Sequence, residues 1–226
     1  MSIDLTPFWI SFKLSLIVTL ILFIIALPVA WWLAHTRSKT KPFIEALCAL
    51  PIVLPPTVLG FYLLIALSHR STVGGFFKET FDLNLLFSFE GLVVASCFYS
   101  FPFMMQPLQA GLESLNKNVI DAAYTLGKSR FQTLRSVILP MIKPSVISAS
   151  VITFAHTMGE FGVVLMVGGN IPGVTKVASI AIYDYVEEMD YASAHVYSLL
   201  LIAISFAVLF VVYYLNRKAK RNEVIL

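Results

Sequence analysis

The sequence predicts an all-α integral membrane protein with five transmembrane helices and a folded helical loop on the cytoplasmic side. Three observations carry that expectation: 58% hydrophobic against 13% charged residues, five long apolar runs, and basic residues gathered into alternate connections. A soluble domain carries about 25% charged residues. A chain of 226 residues this poor in charge cannot cover an aqueous surface, so most of its surface faces lipid. Soluble domain classes are thereby excluded, and no nucleic-acid partner is expected. Cys48 and Cys97 allow one bridge at most; both fall in apolar runs and read as buried free thiols.

A helix needs about 20 apolar residues to cross a hydrocarbon core of about 30 Å. Five stretches qualify: 12–34, 43–67, 91–111, 142–167 and 192–215. They are continuously apolar rather than alternating, which argues against strands. The first run is too long for a cleavable signal peptide, and basic residues follow it instead of a small-residue cleavage site. An odd number of spans puts the termini on opposite sides. Arg37, Lys39, Lys41, Lys117, Lys128, Arg130, Arg135, Lys143, Arg217, Lys218, Lys220 and Arg221 share one side; Arg70, Lys78 and Lys176 share the other. The positive-inside rule therefore places the N-terminus outside and the tail, 216–226, in the cytoplasm. Trp9, Trp31, Trp32, Tyr213 and Tyr214 fall at the expected interfaces. The outer fourth connection is acidic, with Asp184, Glu187, Glu188 and Asp190, and reads as a solvated loop or as a docking surface.

Six prolines, Pro28, Pro51, Pro55, Pro56, Pro102 and Pro107, lie in the spans. Each removes a backbone donor, which is tolerated in lipid where the gap faces protein or a wet path. The run 50–57, with Pro51, Pro55 and Pro56, predicts a kinked helix, beside a conduit or bent only to pack. Glu160 is the one acid well inside a span, with His156 a turn earlier. A carboxylate near mid-membrane costs roughly 2.5–3.5 kcal/mol on insertion scales. It reads either as a packing partner of His156 or a neighbouring helix, or as a gate or hinge residue with Gly159, Phe161 and Gly162. Two ligands without a third do not make a zinc site, so no metal is expected. Asn170, Pro172 and Gly173 form a turn that shapes an outer mouth or simply reverses the chain.

The third connection, 114–140, reads as two short helices. Asn118–Leu126 carries Val119, Ala122, Ala123 and Leu126 at helical spacing, and Gly127 supplies a stop. Phe131–Leu139 places Phe131, Leu134, Val137 and Ile138 on one apolar side and ends at Pro140. Gly127-Lys128-Ser129 imitates the end of a phosphate-binding loop, but Ala122 stands where a glycine is required and no strand precedes it. The chain is therefore not expected to hydrolyse ATP.

Asp121-Ala122-Ala123, then Gly127, then Ile138-Leu139-Pro140, resembles the "EAA" loop of ABC-importer permeases, with Asp121 in place of glutamate and Ile138 directly before Leu139-Pro140. Pro144-Ser145 replaces the Pro-Gly often found beyond. Leu50–Gly60, Gly159–Gly162 and Asn170–Gly173 resemble stretches of the molybdate permeases, with versions in sulfate permeases. The resemblance covers most of the chain. It implies that Asp121, Ala122, Ala123, Leu126, Gly127, Lys128, Leu139 and Pro140 belong to a loop that couples to a cytoplasmic ATPase. It further implies a homodimer of ten helices in a prokaryotic inner membrane, two ABC ATPase subunits that hold ATP and magnesium, and an external oxyanion-binding protein. The expected cargo is molybdate, with tungstate and sulfate or thiosulfate as alternatives. A membrane anchor of an enzyme complex is the rival from another class.

Overall fold

The computed structural model describes residues 3–223, with side chains through Tyr214. Arg217, Lys218, Lys220 and Arg221 lie outside the described side chains. Among the described residues every regular element is helical.

Helix α1 (Thr6–His35) has Pro7 in its first turn, where a missing N–H is harmless. Leu14, Val18, Leu22, Ala26, Ala30 and Leu33 recur at three- and four-residue spacing and are buried against α5 (Phe89–Glu113) and α9 (Lys143–Met158). These three helices form the main core. Three hydroxyls on α1 are also buried, and two of them bond back one turn. Ser15 Oγ donates to the Ser11 carbonyl at 2.8 Å, and Thr19 Oγ1 to that of Ser15 at 2.7 Å. Pro28, Pro102 and Pro107 lie inside unbroken helices.

The second predicted span, 43–67, is two helices, α2 (Lys41–Val53) and α3 (Pro56–Leu67), meeting at 108°. The cause is the tandem proline. A residue before proline is driven out of the helical region. Leu54 precedes Pro55, and Pro55 precedes Pro56, so two successive residues are extended, at ψ 136° and 137°. The turn is therefore sharper than the expected kink. At its start α2 is tied to the end of α5: Lys41 Nζ pairs with Glu113 at 2.9 Å, and Gln109 donates to Glu45 at 2.5 Å and Glu113 at 3.0 Å.

The fourth predicted span, 142–167, is also divided. Helix α9 ends at Met158 and α10 (Gly162–Gly168) begins after three non-helical residues. Three helices, α1, α5 and α12 (Tyr191–Glu223), are each long and apolar enough to cross a membrane alone. Two bent pairs are long and apolar enough together: α2 with α3, and Arg130–Met141 with Lys143–Met158, which meet at 77°.

Connections hold more structure than the sequence signals. Helix α4 (Thr72–Phe81) occupies the second connection, capped by Ser71, whose Oγ accepts the Gly74 N–H. The acidic fourth connection is not an open loop: it contains α11 (Ala178–Glu187). Helix α12 runs through the predicted tail boundary to Glu223. Cys48 and Cys97 are free and half-buried rather than buried; both line one apolar cavity inside the α2–α3 elbow, of about 510 Å³.

Candidate functional site

Helix α6 (Lys117–Thr125) projects from the end of α5. Asn116 caps it, its side chain accepting the Asn118 N–H. At the far end Gly127 sits at φ +78°, its N–H donating to Tyr124 O at 2.9 Å while Lys128 N donates to Ala123 O at 3.1 Å. That pair of bonds is the Schellman ending, which requires a left-handed residue at the glycine position. Ser129 and Gln132 then form a capping box that starts α7 (Arg130–Thr133).

The predicted helix 131–139 exists but with a different phase. Between α7 and α8 (Leu139–Met141) the residues Leu134–Ile138 form a π-turn. A π-turn inserts a residue, so positions five apart share a face. Thr133 and Ile138 are buried together, while Phe131, expected on the apolar side, is 70% exposed. Helicity also runs past Pro140 to Met141. Leu126 is 80% exposed. With Phe131, Gly127, Lys128, Gln132, Arg135 and Ser136 it lines a surface cavity of about 540 Å³. Of the residues in the resemblance, Asp121, Ala122, Leu126, Gly127 and Pro140 are exposed, Ala123 is buried, and Leu139 packs on the main core. Lys128 is only partly exposed and donates to Ser136 Oγ at 2.9 Å. Thr133 Oγ1 is buried without a hydrogen-bond partner. Thr133→Val removes that unpaired hydroxyl at nearly constant shape, so thermal unfolding of this variant is expected to be unchanged or higher.

The residues singled out as hinges are brought together. A Cβ placed on Gly162 would lie 2.8 Å from Pro56 Cβ, and one on Gly60 2.9 Å from Met166 Cβ. The elbow between α2 and α3 therefore seats on the break between α9 and α10, and glycines on both sides permit the approach. Pro51 lies a turn before the elbow, and Pro55 is exposed at it. The Phe161 ring tilts against Tyr183 of α11 with centroids 5.0 Å apart, and Ser179 Oγ donates to the Glu160 backbone carbonyl at 2.5 Å. A Cβ on Gly159 would make only ordinary contacts, with the Ala155 and His156 carbonyls at 3.8 and 4.0 Å.

His156 and Glu160 do not pair. His156 Nδ1 lies 3.0 Å from Ser100 Oγ, and its ring stacks on Phe103 at 3.9 Å and tilts against Tyr99 at 4.8 Å. Ser100 also bonds to Thr157 Oγ1 at 2.9 Å, which donates to the Thr153 carbonyl. Glu160 is 4% exposed, and the hydroxyl beside its carboxyl is that of Ser96 on α5. Among the described residues no group of three or more His, Cys, Asp or Glu side chains is placed to hold a metal. Sequence reading missed Ser96, Ser100, Thr153 and Thr157. Their four-residue spacing within apolar helices is the signal that marks a buried polar seam.

In the turn after α10, Asn170 Nδ2 donates to Asp184 Oδ1 and Oδ2 at 2.7 and 2.8 Å, and Lys176 Nζ pairs with Oδ2 at 2.5 Å. Thr175 Oγ1 closes the same turn onto the Gly168 carbonyl at 2.7 Å. Pro172 and Gly173 form its exposed tip, with Gly173 at φ +74°. The turn is thus anchored to α11, and Asp184 is committed to it. Farther on, Asp190 caps α12. Hydrogen bonds from the Ser193 hydroxyl and then its amide hold the Asp190 carboxyl below the usual carboxylate range. A lowered value stabilises the fold above the ordinary range, and that stabilisation is lost as pH falls through the lowered value. Asp190→Asn is expected to lose this acid-side dependence in a melting series.

The family model described as "Binding-protein-dependent transport system inner membrane component" matches residues 26–221. The molybdenum transport system permease protein ModB of Azotobacter vinelandii is 45% identical over 93% of this chain and 93% of its own length. The sulfate transport system permease protein CysT of Salmonella typhimurium is 33% identical over 89% of this chain and 72% of its own. Among solved structures, the MetNI methionine ABC transporter aligns with a TM-score of 0.71 at 18% identity, covering 94% of both chains. A bacterial ABC transporter involved in the import of alginate aligns at 0.77 and 16% identity, covering 95% of this chain and 79% of its own. These two show a common fold. The extent of the family match and of the sequence identity together establish that the chain belongs to the family of binding-protein-dependent transport system inner membrane components.

Proposed function

We propose that the chain is the membrane-spanning subunit of an ABC importer for molybdate. It works as a ten-helix homodimer with two cytoplasmic ATPase subunits and an external oxyanion-binding protein. The observation that carries the substrate is the 45% identity over 93% of the chain with a molybdenum permease. ATP and magnesium belong to the ATPase partner. Five spans are supported by the five apolar runs, and the N-terminus outside and the C-terminus in the cytoplasm by the twelve-to-three division of basic residues.

The proposed coupling path begins at the exposed knob. Leu126 and Phe131 offer apolar anchors, and Arg130 and Arg135 flank them with positive charge, a combination suited to an apolar socket with an acidic rim. Behind the knob, Ile120 and Ile138 are buried in the same core as α1, α5 and α9, so a displacement of α6 is transmitted to the spans through packed side chains. The elbow Pro55-Pro56 and the break Gly159–Gly162 give those spans a place to bend. ATP binding drives the change by favouring one conformation over the other. Asn170, Pro172 and Gly173 form the outer mouth on which the binding protein releases its anion.

The test is ATPase activity of the reconstituted complex. Binding protein loaded with molybdate is expected to stimulate hydrolysis, and sulfate-loaded protein is not. Stimulation by sulfate alone would transfer the assignment to sulfate; a verified complex that responds to neither would remove it.

A further inference from the structure

Two cavities beside α2 share a wall at Cys48. The one inside the α2–α3 elbow, of about 510 Å³, is lined by hydrocarbon side chains and two thiols, among them Ile25 of α1, Leu54 at the elbow, Leu59 of α3, and Cys97 and Phe101 of α5. The second, of about 380 Å³, has Glu45, Gln106 and Gln109 among its walls. Helix α2 runs antiparallel to α5 here: Gln109 donates to Glu45 at 2.5 Å, and Cys48 lines its cavity together with Met105 and Gln106. The two cavities therefore form one groove, polar at the start of α2 and apolar at the elbow.

The groove has the depth of one leaflet. Its lining on α5 extends from Gln109 to Cys97, about 18 Å of helix at about 1.5 Å per residue. Half of a hydrocarbon core of about 30 Å is about 15 Å. Its polar end lies on the side where the basic connections place the cytoplasm. Ile25, Leu47 and Phe98 at its rim are exposed on helices of the spans, so the groove opens toward what surrounds them. Proteins pack without large voids, and the surroundings at this depth are acyl chains. An oxyanion is unsuited to the apolar end, whose wall offers no hydrogen-bond donor beyond two thiols. The polar end selects the rest of the occupant. Lys41 pairs with Glu113 at 2.9 Å and with Glu45 at 3.6 Å, so two carboxylates share one ammonium, and Gln109 donates to both. The excess negative charge suits an amine.

We propose that this groove binds one phospholipid of the inner leaflet, with an acyl chain in the elbow cavity and an ethanolamine headgroup at Glu45 and Gln106. What selects a lipid over a partner helix or a small apolar molecule is a polar end and an apolar end one leaflet apart in a continuous groove. The bound chain packs against α1, α2, α3 and α5 at once, so it braces the elbow where α2 turns into α3. The site rests on the membrane orientation proposed above and on neither the anion nor ATP.

The experiment is native mass spectrometry of the full-length chain purified in detergent and incubated with phosphatidylethanolamine or with phosphatidylglycerol of the same acyl chains. Melting temperature is measured in parallel, for wild type, Ile25→Trp and Glu45→Gln. Ile25 is 50% exposed at the rim, so the indole fills the groove without entering the main core. Wild type is expected to retain one phosphatidylethanolamine per chain, to melt about 2–4 °C higher with it, and to retain less phosphatidylglycerol. Ile25→Trp loses the lipid and the rise, and Glu45→Gln loses the preference between headgroups. Cys97→Trp fills the apolar end from α5 and serves as the readout if Ile25→Trp does not fold. No retained lipid, no headgroup preference in wild type, or full retention in the filled variant overturns the proposal. So does a homodimer that the filled variant splits and neither lipid affects, the result expected of a second copy covering the groove. The readout uses no anion and no ATP, so its failure is distinct from that of the transport reading.

Discussion

Gly162→Leu is expected to abolish ATP-driven uptake and to lower the melting temperature of the complex. A single Cβ at this position would already lie 2.8 Å from Pro56 Cβ, closer than carbon atoms approach, and leucine adds three more carbons. Pro56 cannot yield easily, because its ring is part of the elbow whose two extended residues set the 108° angle. Overpacking of this kind costs about 1–3 kcal/mol, and here the damage falls where two helix breaks must move against each other. Gly159→Ala is the matched control. The nearest neighbour to a Cβ there is the Ala155 carbonyl of the preceding turn, at 3.8 Å, so uptake should persist. Equal loss in both variants would mean that the break needs glycine for its backbone rather than for the contact with Pro56.

Gly127→Pro is expected to separate hydrolysis from transport while leaving the permease in the membrane. Proline fixes φ near −65°, whereas Gly127 stands at +78°. The substitution also deletes the N–H that closes onto Tyr124 O. The chain after α6 must then leave in another direction, displacing Leu126 and Phe131 from a common surface. Gly127→Ala meets nothing within 4 Å and carries only the left-handed strain of about 1–2 kcal/mol, so its coupling should be largely kept. Measuring uptake and ATP hydrolysis on the same proteoliposomes distinguishes the two. Ala123→Asp is expected to resemble the proline variant, since Ala123 is buried where α6 meets the core.

Much of this architecture was legible because its causes are local. Gly127 marks the end of α6 by glycine chemistry that a sequence displays openly, while Asn116, which caps its start one residue before the expected helix, was not read. Apolar length located α1, α5 and α12. What escaped was set by non-local or phase-dependent effects. The tandem proline announced a bend but not its angle, because that depends on α3 finding α10 through Gly60 and Gly162. Phe131 was assigned to the apolar side by counting 3.6 residues per turn, and the π-turn at Leu134–Ile138 shifts that count by one. Helix α11 was hidden by its acids, which mark solvent exposure but do not forbid a helix. His156 and Glu160, one turn apart, suggested a pair; a competing partner on another helix, Ser100, took the histidine.

The measurement that tests the account most directly is uptake of radiolabelled molybdate by proteoliposomes containing this chain, its ATPase and its binding protein, with and without excess unlabelled sulfate. The account predicts ATP-dependent accumulation that resists sulfate and is lost in Gly127→Pro. Uptake abolished by sulfate would contradict the assigned substrate, and no ATP-dependent uptake of either anion by a verified complex would contradict the importer itself.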